Sequence, residues 1–364
     1  MSGKVPASAS GQPLPVRDVE VVAPNFKKRL SGVTSTIVQL VPKQAESLAI
    51  TTVGPGLPDT LPKLRWWQVP GLLLKPENRP FRVWHARRNP EMLAGVVLRD
   101  VFRAPLKLVF TSASQRHHTR WTRFLIKRMD RVVATSRKTA SYLEVPNQVV
   151  MHGIDTTRFS PPSGPAEGAA AVGMPQGQRY VGCFGRVRHQ KGTDLFVDAM
   201  IALLPERPGW SAIIAGQATQ PHAAFEAGLK EKVRAAGLAD RVHFVGTRED
   251  IPAWYRALSL FIAPQRWEGF GLTPLEAMAT AVPVVATDVG AFSELLENSG
   301  AGTLVAVDDL GAMVAAAARY MDDDALRGRA ADAALLHARS HFPLEGEAKT
   351  LNGIYEDLWR KASK

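Results

Sequence analysis

Residues 265–296 read QRWEGFGLTPLEAMATAVPVVATDVGAFSELL. Glu268 and Glu276 stand eight positions apart, with Gly269-Phe270-Gly271-Leu272-Thr273 between them and a proline, Pro274, where a helix would begin. A helix start leaves backbone N–H groups unpaired and its dipole positive, which suits a phosphate. The glycines let backbone approach a ligand closely. Glu276 falls in the first turn of that helix, where a carboxylate can accept hydrogen bonds from a vicinal diol such as a ribose. Glu268, ahead of the glycines, can meet the hydroxyls of a second sugar. Two glutamates and two glycines are also what a solvated loop would show. The concurrence of a preceding strand, a glycine loop, a helix start and the run VPVVATDVG favours the nucleotide-sugar reading.

The second cluster is Gly185-Arg186-Val187-Arg188-His189-Gln190-Lys191-Gly192, directly after the apolar run YVGCF. Glycine at a strand end, with Arg186 and Lys191 five apart, is a candidate diphosphate clamp: arginine supplies a fixed fork and lysine a mobile point charge. Both would offset charge on a departing nucleoside diphosphate. The bland alternative is a solvated basic turn. Thr193-Asp194 reads as an ordinary helix N-cap, with no catalytic role for Asp194.

These residues need elements to hold them. In the second half, short β-branched runs (RYVGCF, WSAIIAG, RVHFVG, LSLFIAP, VPVVATD, GTLVAV) alternate with helical stretches. The first half is less regular: strands are expected at 19–23 and 147–151 and helices at 33–41 and 115–129, while VVLRD, LKLVF and RVVATS fit either strand or short helix. Alternation of this kind predicts an α/β fold, with parallel sheets covered by helices. The Pro/Gly/Ala-rich stretch 161–177 reads as a linker, giving an N-terminal domain over 17–160 and a C-terminal one over 178–344. Residues 1–16, rich in Ser, Ala, Pro and Gly, are expected to form a disordered tail without the apolar core of a secretory signal. Two such units joined by a linker place a cleft between the C-terminal strand ends of both sheets, where ligands of open α/β sheets bind.

Composition narrows the partners. The 364 residues carry one cysteine, Cys183, so an intrachain disulfide and a cysteine-based zinc site are excluded and a reducing compartment is favoured. Residues 1–160 hold 25 Lys+Arg against 10 Asp+Glu, a formal +15, whereas the rest hold 20 against 24, a formal −4. A basic half calls for an acidic partner: nucleic acid, an anionic membrane or a polyanionic substrate. No nucleic-acid-binding motif accompanies the charge. In the segment RHHTRWTRFLIKRMDR, Trp121, Phe124, Leu125 and Met129 recur near helical spacing among Arg120, Arg123, Lys127 and Arg128, as in a helix on an anionic membrane or a core helix with a basic outer side. Trp66-Trp67 and the run 71–74 suit either an interfacial element or core.

The pairing of G-R-x4-K-G with E-G-F-G-L-T-P-L-E, together with MHGIDTTRFSPP at 151–162, resembles the retaining glycosyltransferases of family 4, which implies the GT-B fold: two Rossmann-like domains with parallel sheets facing across a cleft. The resemblance implies that Arg186 and Lys191 bind the diphosphate and that Glu268 contacts the donor sugar and takes part in catalysis with them. It implies that Glu276 meets the ribose, and that Gly185, Phe270, Gly271, Leu272 and Thr273 line the donor. It also implies metal-independent transfer, with no other cofactor, and a last helix over 345–364 that crosses back to the first domain. Asp322-Asp323-Asp324 fits a metal-binding D-x-D formally but reads as a solvated turn.

In the first domain the match departs. Gly32 stands where members commonly have a Gly-Gly turn, and Thr111 stands where many have a histidine. His117, His118 or His85 are the candidates to replace that histidine, with Arg87 and Arg88 beside the last as acceptor-site candidates. The stretches VWHARRNPEM and LKLVFTSASQRHHTRWTRFLIKRMDRVVATS are similar to those of lipopolysaccharide core mannosyltransferases of the rhizobial type. That implies mannose transfer from GDP-mannose to a Kdo residue on an anionic glycolipid, Kdo-lipid A, by a peripheral protein on the cytoplasmic face of the bacterial inner membrane. The alternatives are a UDP-sugar transferred to a phospholipid or polysaccharide, and a non-catalytic sugar-nucleotide binder.

Overall fold

A computed structural model describes residues 14–28 and 32–362. The chain divides into two units, Met1–Gly153 with Leu344–Lys364, and Ile154–Pro343.

In the first unit the described residues form strands β1 (Val21–Pro24), β2 (Ile50–Val53), β3 (Lys63–Leu64), β4 (Arg82–Ala86), β5 (Leu106–Ser112), β6 (Arg131–Ala134) and β7 (Gln148–Val149). They are joined by helices α1 (Gly32–Ala45), α2 (Asn89–Val96), α3 (Arg120–Ile126) and α4 (Arg137–Ala140). The sheet runs β3-β2-β1-β4-β5-β6-β7 with every pairing parallel. In the second unit follow β8 (Arg179–Phe184), α5 (Thr193–Leu203), β9 (Trp210–Ala215), α6 (Ala223–Ala235), β10 (Val242–Gly246), α7 (Ile251–Arg256), β11 (Leu260–Ala263), α8 (Thr273–Ala279), β12 (Val284–Thr287), α9 (Phe292–Leu296), β13 (Gly302–Val305), α10 (Leu310–Asp322) and α11 (Asp324–His341). Their order β10-β9-β8-β11-β12-β13, again parallel, is the doubly wound Rossmann order, and the first unit repeats it with one strand more. In each sheet the order reverses beside its first strand, so the loops after β1 and β4, and after β8 and β11, meet at a switch point.

The central strands β8, β9, β11 and β12 are buried on both faces and hence read as near-continuous apolar runs. Helix α12 (Leu344–Ala362) belongs to the first unit, where it packs on α1 and buries Leu351, Tyr355, Leu358 and Trp359. Trp359 Nε1 donates to the Phe81 carbonyl at 3.0 Å. Arg79 stacks over the Trp359 ring at 4.0 Å and bridges Glu20 at 2.6 Å and Glu356 at 2.7 Å.

Several expectations are corrected. The stretch 161–177 is no free linker. It lies inside the second unit, with 3-10 turns at Pro165–Glu167 and Ala169–Val172, the latter packed on α7. The crossing comes earlier, at Gly153, because Ile154 already pairs with Pro343 and its N–H donates to Phe342 O at 2.8 Å. Leu14 and Val16 pack against the core of the first unit, so the expected tail does not extend to residue 16; residues 1–13 lie outside the described residues. VVLRD continues α2 as a π-helical turn over Val97–Val101, while LKLVF and RVVATS are strands β5 and β6. Helix is confined to Arg120–Ile126 within 115–129, started by Thr119, whose hydroxyl accepts from Thr122 N.

One buried charge fixes a surface segment. Arg82 of β4 is fully buried and faces carbonyls: NH1 donates to Leu72 O at 3.4 Å and to Leu74 O, and NH2 to Val16 O at 2.8 Å. Burial lowers its pKa, but arginine stays charged. These bonds hold the 3-10 segment Trp66–Leu73 against the sheet, with Leu72 as its buried anchor. Arg82→Met should therefore strand several buried carbonyls and cost about 2–5 kcal/mol in urea unfolding. A cost below about 0.5 kcal/mol would show that this network carries nothing.

Candidate nucleotide-sugar site

The second unit gathers its chemistry at the β8/β11 switch point. Beyond β8, Gly185 takes φ 141°, and Gly216 (φ 131°) lies so close that a Cβ there would sit 1.8 Å from the Gly185 carbonyl. Arg186 follows, partly exposed, then the buried Val187 and the 3-10 turn His189–Lys191. Gly192 (φ 68°) is the N-cap of α5, and a Cβ on it would meet the Pro264 carbonyl at 1.8 Å. This contact presses the turn 189–192 onto the chain leaving β11.

The two segments are then stitched by backbone and side-chain bonds. Arg266 N donates to Gln190 O at 3.0 Å, and Gln190 Nε2 to Trp267 O at 3.4 Å. Lys191 Nζ and a Glu268 carboxylate oxygen form an ion pair, both side chains largely buried. Thus Lys191 and Glu268, from two motifs 77 residues apart, share one place. The expected cap at Thr193-Asp194 is corrected: Gly192 caps α5, and Asp194 instead receives both arms of Arg266, at 2.7 and 2.9 Å. Arg266 also donates to His189 O at 2.6 Å and to Asp308 at 2.6 Å.

Gly271 (φ 85°) could not carry a side chain: its Cβ would lie 2.2 Å from the Phe292 ring and 2.8 Å from Glu268 Cγ. The Phe270 ring is buried, and its carbonyl accepts from Ala291 N at 3.0 Å, so what this residue offers a ligand is limited to backbone. Leu272 is the N-cap of α8 and Thr273 its first residue, with Pro274 and Glu276 in the first turn. Tyr255 of α7, fully buried among Phe159, Phe184 and Phe261, donates its hydroxyl to Glu276 Oε2 at 2.7 Å and reaches the Thr273 carbonyl at 3.3 Å. Burial raises the Glu276 carboxyl above its ordinary value, opposed by the Tyr255 bond and the charge of Arg158. Sequence reasoning missed Tyr255 and Arg266; the sole signals were an aromatic in a short helix and an arginine before a glutamate. Burial pushes the Cys183 thiol up to about 12, which leaves it inert.

No group of three or more His, Cys, Asp or Glu side chains gathers to hold a metal among the described residues. The three aspartates end one helix and start the next. Asp322 pairs with Arg207 at 2.7 Å, Asp323 caps α11 by accepting from Leu326 N at 2.8 Å, and Asp324 pairs with Arg179 and Arg327.

In the first unit the candidates fall in two groups, Gly32 with His85, Arg87 and Arg88 near the start of α1 and the end of β4, and His117 with His118 before α3. Gly32 begins α1, exposed, with nothing within 4 Å of a Cβ placed on it. His85 is corrected from a site candidate to a core residue. Its Nδ1 meets the Tyr355 hydroxyl at 2.6 Å and its Nε2 the Thr111 hydroxyl at 2.7 Å, so both ring nitrogens are engaged. Arg88 is likewise structural: NH1 donates to Asn25 Oδ1 and Glu91 Oε1, both at 2.8 Å, and NH2 to the Thr34 hydroxyl at 3.0 Å. Arg87 is partly buried, its N–H donating to Glu91 at 2.8 Å and its NH1 to His85 O at 3.4 Å. His117 is exposed, edge-on to Tyr142 at 5.4 Å. His118 is partly buried beside Arg123, Lys127, Tyr142 and Glu144, with its pKa lowered by burial and then by Arg116.

Residues 178–323 match the family described as Glycosyl transferases group 1. The chain is 61% identical over 348 residues to the lipopolysaccharide core biosynthesis mannosyltransferase LpsB of Rhizobium meliloti (strain 1021), covering 95% of this chain and 99% of that one. It is 54% identical over 344 residues to the corresponding enzyme LpcC of Rhizobium leguminosarum bv. viciae, covering 94% and 97%. Anabaena HepE, solved in complex with UDP, shares the fold with a TM-score of 0.79 at 18% identity, over 93% of this chain and 100% of that one. The two Rossmann-like halves are those of the GT-B fold.

Burial and then Arg87 hold the His85 pKa well below the ordinary 6.5. An unfolded chain takes up a proton at this residue below pH 6.5 that the native one refuses, so stability falls on acidification, by up to ~1.4 kcal/mol per pH unit. His85→Gln keeps a polar side chain and removes the titration. The stability lost on substitution should therefore shrink from pH 7.5 to pH 5.5 in urea titrations; a loss independent of pH would exclude a neutral buried histidine.

Proposed function

The chain belongs to the group 1 glycosyl transferases, and on that premise we propose that it transfers mannose from GDP-mannose to a Kdo residue of the lipopolysaccharide inner core, with retention. The observation that carries this is the paired Lys191 and Glu268 at the β8/β11 switch point, in a chain 61% identical to a lipopolysaccharide core mannosyltransferase. Arg186 and Lys191 would neutralise the diphosphate, and the first turn of α8 would add N–H groups. Glu276, held by Tyr255, would receive the ribose diol, and Glu268 the donor sugar. The acceptor oxygen attacks the anomeric carbon from the face that the diphosphate leaves. The bond from that carbon to phosphate oxygen breaks, its electron pair goes to the phosphate, and this oxygen takes the acceptor proton. In this scheme the leaving charge is met by side chains and backbone, without a metal.

Calorimetry with GDP-mannose, GDP, UDP-glucose and UDP tests the donor. Guanine ligands should bind selectively, and turnover onto Kdo-lipid A should persist in EDTA. Lys191→Ala should lower kcat by ~100-fold or more, the loss of one charge-stabilising group. Selective uridine binding, or near-normal turnover of Lys191→Ala, would sink the donor or clamp assignment respectively.

The same reading puts the acceptor at an anionic membrane, at the inner face of the inner membrane, and the first unit offers a surface for it. No helix is long and apolar enough to cross a membrane among the described residues. The helix face expected from sequence is divided: Leu125 is buried, while Trp121 and Phe124 stack at 5.6 Å and are half exposed. Arg128 lies over Phe124 at 4.5 Å and pairs with Asp100 at 3.1 Å, which brings in the exposed Val101 and Phe102. Exposed aromatics among arginines favour an anionic interface. Replacing Trp121 and Phe124 together by serine should reduce sedimentation with phosphatidylglycerol vesicles severalfold and leave binding to neutral vesicles as weak as before. Unchanged sedimentation would remove this surface from the membrane contact.

A further inference from the structure

A second aromatic cluster lies at the mouth of the first sheet. Trp66 and Trp67 follow β3 directly and are 60% and 71% exposed, among the largest apolar exposures in the chain. Trp66 leans on Phe26 of the loop after β1, at 6.1 Å and 36°. Arg65 lies over the Trp67 ring at 5.0 Å. The loop after β2 closes on the same place: a Cβ on Gly54 would meet the Asn25 carbonyl at 2.0 Å, and one on Gly56 the Lys28 carbonyl at 2.4 Å. Three C-terminal strand ends thus converge under two open indole rings, at the end of a parallel sheet where ligands bind.

The shelf is held from beneath. Arg82 spends its buried charge on the carbonyls of Leu72 and Leu74, and Arg65 N bonds the Gln68 side chain at 2.9 Å. Rings so exposed on so firmly fixed a backbone are preorganised for a contact outside the folded chain. The surrounding charge names its sign. Lys27, Lys28 and Arg65 are exposed here, the nearby carboxylate Asp59 is paired with Lys63 at 3.0 Å, and Glu77 lies 3.5 Å from Arg17. A guanidinium stacked on indole keeps its in-plane N–H fork for a carboxylate.

We propose that Trp66 and Trp67, with Arg65, Lys27 and Lys28, form an acceptor subsite for an acidic sugar, whose C–H face lies on the indole rings and whose carboxylate meets the cations. The proposal rests on the glycosyltransferase reading and adds the place where the acceptor is recognised. It differs from the membrane surface at Trp121 and Phe124, because its ligand is a soluble sugar as well as a lipid-linked one.

The test uses the full chain and acyl-free sugars. Titration with Kdo disaccharide should quench tryptophan fluorescence saturably, whereas glucose should not. Trp67→Ala and Trp66→Ala should each raise the KM for acyl-free Kdo acceptor by about tenfold, with Phe variants between, while GDP-mannose affinity by calorimetry stays within twofold. Arg65→Gln should weaken Kdo binding and reduce its salt dependence. Absence of saturable quenching, or an acceptor KM unchanged in both alanine variants, overturns the subsite. Loss of vesicle binding with an unchanged KM for acyl-free acceptor also overturns it and makes the cluster a membrane anchor. Failure of GDP-mannose to bind the wild-type chain defeats the donor assignment alone, since the quenching experiment involves no donor.

Discussion

The second unit depends on how closely two backbones can approach. Gly192 lies under the Pro264 carbonyl where any side chain would collide, and only a left-handed glycine permits the turn. From that contact the rest follows. The turn 189–191 comes within reach of the loop leaving β11, Arg266 can grip both the His189 carbonyl and Asp194, and Lys191 meets Glu268. The ion pair is largely buried, so each charge is worth more to its partner than it would be on the surface. On the proposed reading a diphosphate arriving at Lys191 competes with Glu268 for the ammonium. The carboxylate it displaces is then turned to the donor sugar, so one exchange of partners couples anchoring of the diphosphate to orientation of the sugar.

The first unit follows another logic. Its core is crossed by polar groups that serve the loops at its strand ends. Asn25, fully buried, donates to the Lys27 and Pro55 carbonyls at 2.9 and 2.8 Å and accepts from Arg88. Arg82 holds the 66–74 segment, and the His85 ring joins β4 to β5 through Thr111 and to α12 through Tyr355. Buried polar groups of this kind are costly unless fully bonded, and the bonds here fix backbone that would otherwise wander. The histidine sought for chemistry is thus engaged in architecture. Thr111, at the position where the family resemblance leads one to expect histidine, is its partner.

What the sequence made legible follows from the range of the interactions. Six strands of the second unit could be read because each is a short β-branched run ended by Gly, Pro or Asp, and the four central ones, buried on both faces, need little else. Gly271 could be read because a positive φ leaves a mark on residue type. The partnership of Lys191 with Glu268 could not, since nothing local reports a contact 77 residues distant. Nor could Tyr255, whose hydroxyl is set by the packing of three phenylalanines. In the linker, composition misled: alanines between prolines resemble a flexible tether, yet short apolar side chains also let a 3-10 turn lie flat on α7.

The charge asymmetry shows the same limit. A formal +15 over residues 1–160 suggests a uniformly basic face. Individual cations are nonetheless engaged within the fold: Arg79 with Glu20 and Glu356, Arg82 with carbonyls, and Arg99 with Asp100 and Asp130. Arginines stacked on exposed rings are different, because stacking leaves the edge of the guanidinium turned outward. Arg65 on Trp67 is such a case, whereas Arg128 on Phe124 gives one edge to Asp100; the two lie on different elements of the unit. One follows a strand end at the mouth of the sheet, as suits a sugar. The other lies on a short helix beside the exposed Val101 and Phe102, as suits a lipid surface. The net charge attracts an anionic partner to the unit; where the partner makes contact is set by the aromatic rings the fold leaves uncovered.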